Sequence, residues 1–224
     1  MCQIIRAQYR AALKEGTRDE KLLELVEVCR ERAEQKRKDG SLLTAAMFRY
    51  NRLVFLYIEY IGINSNVKVE AIPDVWFSDL SAVLYIWPEL SGNKNWAYMF
   101  PVFWFDQPES LTQWKRKKKP DRRCGRIAVL YPEQLFSYVC HHQAIVKEGL
   151  LVGDRYQMIS LHENLLFSYF EIPREREQVN IRQIKQESEE IKAWMAANPE
   201  SHFYHFPEAK GENFLIISEL FTVG

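Results

Sequence analysis

Two stretches, Leu53-Val-Phe-Leu-Tyr-Ile-Glu59 and Leu165-Leu-Phe-Ser-Tyr-Phe-Glu171, repeat one strand-like pattern in the two halves of a single chain. Each is followed by a second echo, Trp87-Pro-Glu with Gly92 and Phe206-Pro-Glu with Gly211. A repeat at constant order changes the architecture, because each copy then builds its own supersecondary unit. Working outward from the second stretch, Arg126-Ile-Ala-Val-Leu-Tyr131 is an apolar run of strand type, ended by Pro132 where a helix can begin. Residues 132–148 carry Leu135, Val139, Ile145 and Val146 on a helical pattern that stops at Gly149. Residues 156–161 and 165–172 are β-prone runs around His162-Glu163-Asn164, which reads as a hairpin. Residues 176–197 read as a helix with one covered face (Val179, Ile184, Ile191, Trp194), and 214–221 as the last strand.

The first half gives the same succession: strand 3–9, helix 19–36, hairpin 42–61, helical segment 73–85 and strand 98–105. Strand, helix, strand, strand, helix, strand is the ferredoxin-like split βαβ order, one antiparallel sheet with helices on one face. The expected fold class is therefore α+β, with two ferredoxin-like domains in tandem at 1–106 and 124–224 and a basic linker at 107–123. The competing reading is a chance match of two hydrophobic strands; agreement in order, spacing and punctuation favours the repeat.

Composition sets the remaining bounds. With 47% hydrophobic and 13% aromatic residues the chain has the apolar surface to offset its ordering entropy, so it folds. Thirty basic residues balance thirty acidic ones, leaving no global field to draw nucleic acid or an anionic membrane. The run Trp114-Lys-Arg-Lys-Lys-Lys119 in the linker reads either as a nucleic-acid patch or as a solvated charged connector, and the overall balance favours the connector. Cys2, Cys29, Cys124 and Cys140 have no metal or disulfide spacing and follow no secretory signal, and no run is long enough to span a bilayer. The expectation is a cytoplasmic protein with neither a nucleic-acid nor a membrane partner.

In the second half Pro132-Glu133, Tyr138-x-x-x-His142-x-x-Ile145-x-x-Glu148, Gly153, Tyr156 and then Asn164-Leu-Leu-Phe167 with Glu171-Ile172 resemble the L-rhamnose mutarotase family. The resemblance covers residues 126–223, the length of one family domain. It implies a dimeric α/β barrel whose two sheets, here, both come from one chain as a pseudo-dimer. It also implies that Tyr138 and His142 form the acid/base pair, that Tyr156 contacts a small-molecule sugar, and that Trp194 is its platform, with Ile191 the alternative register. Glu148 matches a further family position; it reads either as a hydroxyl contact or as a solvated helix-end carboxylate.

Mutarotation needs one proton to leave the anomeric hydroxyl while another reaches the ring oxygen, so that the ring opens and recloses on either face. Two proton-handling groups suffice, and no metal, nucleotide or redox cofactor is implied. An i, i+4 pair on a helix puts Tyr138 and His142 on one face, and a histidine near its usual pKa of about 6.5 populates both protonation states. Without the resemblance, Tyr138 reads as a core tyrosine and His142 as a surface histidine. His141 turns about 100° away around the helix, while His162, His202 and His205 read as turn or packing residues. All five histidines lie in the second half, so the expected activity, an aldose isomerase acting on a deoxyhexose such as L-rhamnose, has one site per chain. Two other classes stay open: a sugar-binding or regulatory protein without turnover, and a different enzyme on the same kind of barrel. In the first half Trp76, Trp87, Trp96 and Trp104 read as core or as sugar-stacking faces.

Overall fold

The computed structural model describes residues 3–62, 68–89, 92–174, 180–181 and 187–224. Its main elements are β1 (Gln3–Ala12), α1 (Asp19–Lys38), β2 (Leu42–Tyr50), β3 (Leu53–Gly62), β4 (Ala97–Trp104), β5 (Arg122–Leu130), α2 (Leu135–Glu148), β6 (Met158–His162), β7 (Leu165–Ile172), α3 (Glu189–Ala196) and β8 (Leu215–Val223). By contacts the chain divides into two units. The first holds Met1–Met99, Pro108–Lys119 and Ser218–Gly224, and the second Phe100–Gln107 and Pro120–Ile217. β4 and β8 each have residues in both units.

In the first unit β3 runs antiparallel between β1 and β2, with Tyr57 opposite both Gln8 and Ala46. Residues 97–99 of β4 lie outside β1, and 218–223 of β8 outside β2. In the second unit β7 runs antiparallel between β5 and β6, with Tyr169 opposite both Gly125 and Met158. Residues 215–217 of β8 lie outside β5, and 100–104 of β4 outside β6. The fold is α+β with antiparallel sheets, and the two stretches that open the sequence analysis are the central strands β3 and β7.

Why these strands are central follows from their alternation. Val54, Leu56, Ile58 and Tyr60 join a core under α1 that includes Leu22, Val26, Cys29 and Ala33, one face of that helix. The intervening Phe55, Tyr57 and Glu59 point to the opposite face, yet they are buried too. A strand covered on both faces reads as an unbroken apolar run, which is how 53–58 looks in the sequence. The second unit repeats this: Leu166 joins a core with Ala128, Leu130, Tyr138 and Ile145, while Phe167, Tyr169 and Glu171 are buried on the other side.

A carboxylate inside a sheet needs compensation, since burial penalises the charged form. Burial pushes the Glu59 carboxyl up, but Arg116 opposes it by charge and hydrogen bonding and, with the Arg6 charge and the Tyr57 hydroxyl, holds it down at about 2. The Tyr57 hydroxyl donates at 2.6 Å, and the Arg116 guanidinium forks onto both carboxylate oxygens at 2.5 and 3.0 Å. Tyr169 donates to Glu171 at the same 2.6 Å, with Arg123 Nε 3.4 Å from that carboxylate.

Three expectations are corrected here. The basic run does not behave as a purely solvated connector. Trp114 is 0% exposed beneath the Arg6 guanidinium, 5.0 Å from its ring, and Arg116 anchors Glu59; only Lys115 and Lys117 to Lys119 face water. Ser110 starts the short helix Leu111–Trp114 that delivers both, accepting from the Gln113 amide. Residues 176–197 are not one helix: α3 covers Glu189–Ala196, and Asn180–Ile181 is a short strand paired with Leu151–Val152. Val179 and Ile184 lie outside the described residues. The Trp-Pro-Glu echo is not a structural repeat, since Trp87–Glu89 forms a hairpin with Gly92–Lys94 whereas Pro207–Ala209 is a 3-10 turn. No helix among the described residues is long and apolar enough to cross a membrane.

Arg116→Ala strips the main partner from a buried carboxylate, an error that typically costs about 3–5 kcal/mol. Urea unfolding of the variant at pH 7 is expected to show a loss of that order. The loss shrinks as pH falls from about 4.5 toward 2, because the stability from a depressed carboxyl is present above the unfolded pKa and vanishes as the folded group protonates.

Candidate active site

The α2 helix begins after a 3-10 turn at Pro132–Gln134 and ends at Gly149, whose φ of 69° is the left-handed closure that glycine adopts without a Cβ penalty. Tyr138 and His142, one turn apart, lie on its sheet-facing side. Their rings stack with centroids 3.8 Å apart and 23° between planes. The Nδ1 of His142 lies 2.9 Å from the Tyr138 carbonyl. A carbonyl only accepts, so Nδ1 carries the proton and donates it, leaving Nε2 as the lone-pair nitrogen.

Trp194 of α3 packs edge-on against this pair, 4.8 Å from the His142 ring and 5.8 Å from that of Tyr138. It also meets His202 at 4.7 Å and His141 at 5.6 Å. Trp194 is thus a ring against both, and Ile191 of the same helix packs on the cluster that holds Tyr138. Phe103 and Phe203 close the sides, at 5.6 Å from His142 and 5.7 Å from Tyr138. His202 has both nitrogens engaged: Nδ1 faces the Asn198 carbonyl at 3.2 Å, so Nε2 accepts from the Ser137 hydroxyl at 2.8 Å. That pattern is one of a histidine fixing a loop to a helix.

The electrostatics follow from burial. Desolvation lowers the pKa of His142, with His141 and His202 adding to it and the Tyr138 carbonyl opposing; the group is held down at about 4. Burial raises the Tyr138 phenol well above its ordinary value, and the nearby Arg126 charge works against that rise. At neutral pH both are uncharged: a phenol able to donate and an imidazole nitrogen able to accept. The expectation of a histidine titrating near neutrality is corrected by this desolvation.

The structure does not bring the other predicted residues to this pair. Glu148 stands at the far end of α2, where it accepts from the Ser188 hydroxyl at 2.5 Å, and Ser188 in turn caps α3 through the Ile191 amide. Its role is to hold α3, and with it Trp194, against α2. Tyr156 is buried just ahead of β6. Gly153, part of the same spacing, sits under Phe105: an added Cβ would fall 2.4 Å from that ring. Sequence reasoning missed Arg126. It lies on the helix-covered face of β5, donates from Nε to Ser168 Oγ at 3.2 Å, and places its guanidinium 5.1 Å from the Phe170 ring centre and 4.5 Å from that of Phe214. An arginine at the head of the apolar run 126–131, within the strand rather than beyond its end, was the available signal. Among the described residues no three His, Cys, Asp or Glu side chains converge to hold a metal ion.

No protein-family model matches the chain, and no curated protein is similar to it. Solved structures resemble it only at low likeness. A protein of Fusobacterium nucleatum described as a monooxygenase candidate is 10% identical, with a TM-score of 0.45 over 98% of this chain and 94% of that one. An anthrone oxidase-like protein is 12% identical, with a TM-score of 0.40 over 98% and 95%. A mutant chlorite dismutase from Candidatus Nitrospira defluvii is 13% identical, with a TM-score of 0.37 over 96% and 91%. At these values the likeness carries no chemistry across.

The depressed His142 gives a testable pH dependence. Between its folded value of about 4 and the usual unfolded value of about 6.5, the unfolded chain binds more protons, so stability falls as pH falls through that window and levels below it. Urea unfolding at pH 7.5 and 4.5 should show wild type losing up to about 3 kcal/mol more than His142→Phe, at about 1.4 kcal/mol per pKa unit.

Proposed function

We propose that the second unit is an aldose mutarotase, an isomerase that exchanges the α and β anomers of a hexose or deoxyhexose such as L-rhamnose, with the two units as a tandem pseudo-dimeric barrel. The observation that carries this reading is the stacked Tyr138–His142 pair, one donor and one acceptor held neutral side by side. His142 Nε2 takes the proton of the anomeric hydroxyl while the Tyr138 hydroxyl gives its proton to the ring oxygen. The bond between C1 and the ring oxygen breaks, the aldehyde turns about its C1–C2 bond, and reclosure returns both protons. Because His142 is a weak base and Tyr138 a weak acid, neither ionises alone, and the two transfers run together. The Arg126 field eases the negative charge that develops on the phenol oxygen. Trp194 occupies the space against both rings, so a sugar reaches them as α3 moves aside, and the indole then offers its face to the sugar's C–H surface.

A second reading, a sugar-binding protein without turnover, draws on the 1% exposure of Tyr138, which suits a packing residue as well as an acid. NMR exchange between the anomers of L-rhamnose and a panel of other hexoses separates the two. The mutarotase accelerates exchange on at least one sugar, and His142→Ala lowers the rate at least 100-fold, within the usual range of about 10²–10⁴ for a general acid or base. The wild-type rate stays flat between pH 6 and 9 and falls only as pH approaches about 4, where His142 protonates. Binding with no acceleration on any sugar selects the second reading.

A further inference from the structure

The helix-covered faces of the two sheets differ at matching positions. In the first unit Tyr9 stands opposite Leu56, and Ile58 follows on the same face; the Tyr9 hydroxyl ends on the Val69 carbonyl at 2.7 Å, closing an apolar layer. In the second unit Arg126 stands opposite Ser168, and Phe170 follows. The chain therefore places a guanidinium inside a layer that its counterpart fills with hydrocarbon.

That guanidinium has no ion-pair partner among the described residues, although the Glu212 carboxylate acts on it from a distance. Desolvation, then the charge of Arg174, depresses its pKa to about 10, although arginine is otherwise charged at any ordinary pH. Its hydrogen-bond partner is the neutral Ser168 hydroxyl, and among the described residues no carboxylate forms an ion pair with Arg126 or Arg174. Arg174 lies 4.6 Å from the centre of the same Phe170 ring that Arg126 faces at 5.1 Å. Two like charges on one ring, one of them desolvated and without an ion-pair partner among the described residues, is an arrangement that folding alone disfavours. A bound anion reverses the sign of both penalties, and paired guanidinium forks match a carboxylate or phosphate. The group also faces the proposed chemistry: its field reaches the Tyr138 phenol, and Phe214, 4.5 Å from Arg126, packs on Phe203, which packs on Tyr138.

We propose that Arg126 and Arg174 form an anion-binding subsite, so that the sugar taken by the second unit is an anionic aldose, with Ser168 fixing the Arg126 fork and Phe170 backing both cations. This rests on the Tyr138–His142 site being the sugar site. A carboxylate at C6, as in a hexuronate, and a phosphate monoester at C6 share the required chemistry, and the experiment distinguishes them.

The test measures binding by calorimetry and anomer exchange by NMR for D-glucuronate, D-glucose 6-phosphate, D-glucose and L-rhamnose, with wild type, Arg126→Gln, Arg126→Lys and Arg174→Gln. At least one anionic sugar is expected to bind 10-fold or more tightly than D-glucose, with the preferred anion identifying carboxylate or phosphate. Arg126→Gln and Arg174→Gln are expected to erase that margin, and Arg126→Lys to retain part of it. Thermal unfolding checks each fold, and Arg126→Gln is expected to be at least as stable as wild type, since it removes a desolvated charge that has no ion-pair partner among the described residues. Equal binding of neutral and anionic sugars, or an anionic preference that survives both Gln variants, overturns the subsite. Arginine-dependent binding of an anionic sugar without faster exchange keeps the subsite and rejects the mutarotase reading. Fast exchange on neutral sugars with no arginine dependence does the reverse. No binding of any of the four sugars rejects both.

Discussion

Glu59 and Glu171 each sit on a central strand, two residues after a tyrosine, on the sheet face turned away from the helices, and each is buried. A charge there is tolerated only with a partner close by, and that need organises what surrounds it. In the first unit the partner arrives from outside the sheet, which is why the segment at 108–119 folds back to bury Trp114 and extend Arg116 to the carboxylate. In the second unit Arg123, on the adjoining strand, stands opposite Glu171 in register. The helix-free faces are thereby committed to internal pairing, and the helix-covered layers are where the units are able to differ.

They do differ there. The first unit's layer is apolar, closed by α1 and by the Tyr9 hydroxyl on a backbone carbonyl. The second holds a stacked phenol and imidazole, an indole against both, and an arginine that no carboxylate among the described residues meets in an ion pair. Burial sets the protonation of the first two, keeping the imidazole neutral and the phenol protonated. The hydrogen bond from Nδ1 to the Tyr138 carbonyl decides which nitrogen remains a base. One turn of helix thus supplies both the geometry and the tautomer on which the proposed proton exchange depends.

Much of this was legible in the sequence because its cause is periodic. The near-continuous apolar runs in 53–58 and 165–170 report two covered faces, and the spacing from Tyr138 to His142 reports one helix turn. Trp194 was recoverable as a residue facing that pair, though not its contacts. What stayed hidden depends on distant partners. Nothing local distinguishes Arg116 from the lysines around it until Glu59 is seen to need a cation. Likewise Glu148 looked like a solvated or sugar-facing carboxylate, whereas Ser188, forty residues on, takes up its oxygen. The pKa of His142 was misjudged because desolvation by Trp194, Phe103 and the sheet leaves no mark on the spacing of two residues.

The claim at the centre of this account is that a sugar meets the imidazole of His142. It is tested most directly by long-range proton–nitrogen NMR of protein labelled in its histidine rings. The free protein should show His142 neutral at pH 7 with the proton on Nδ1, and addition of a hexose or hexuronate should shift its Nε2 resonance while the engaged nitrogens of His202 hold theirs. A His142 ring that stays unmoved at saturating sugar, or that titrates near 6.5 as an exposed imidazole does, would contradict the account.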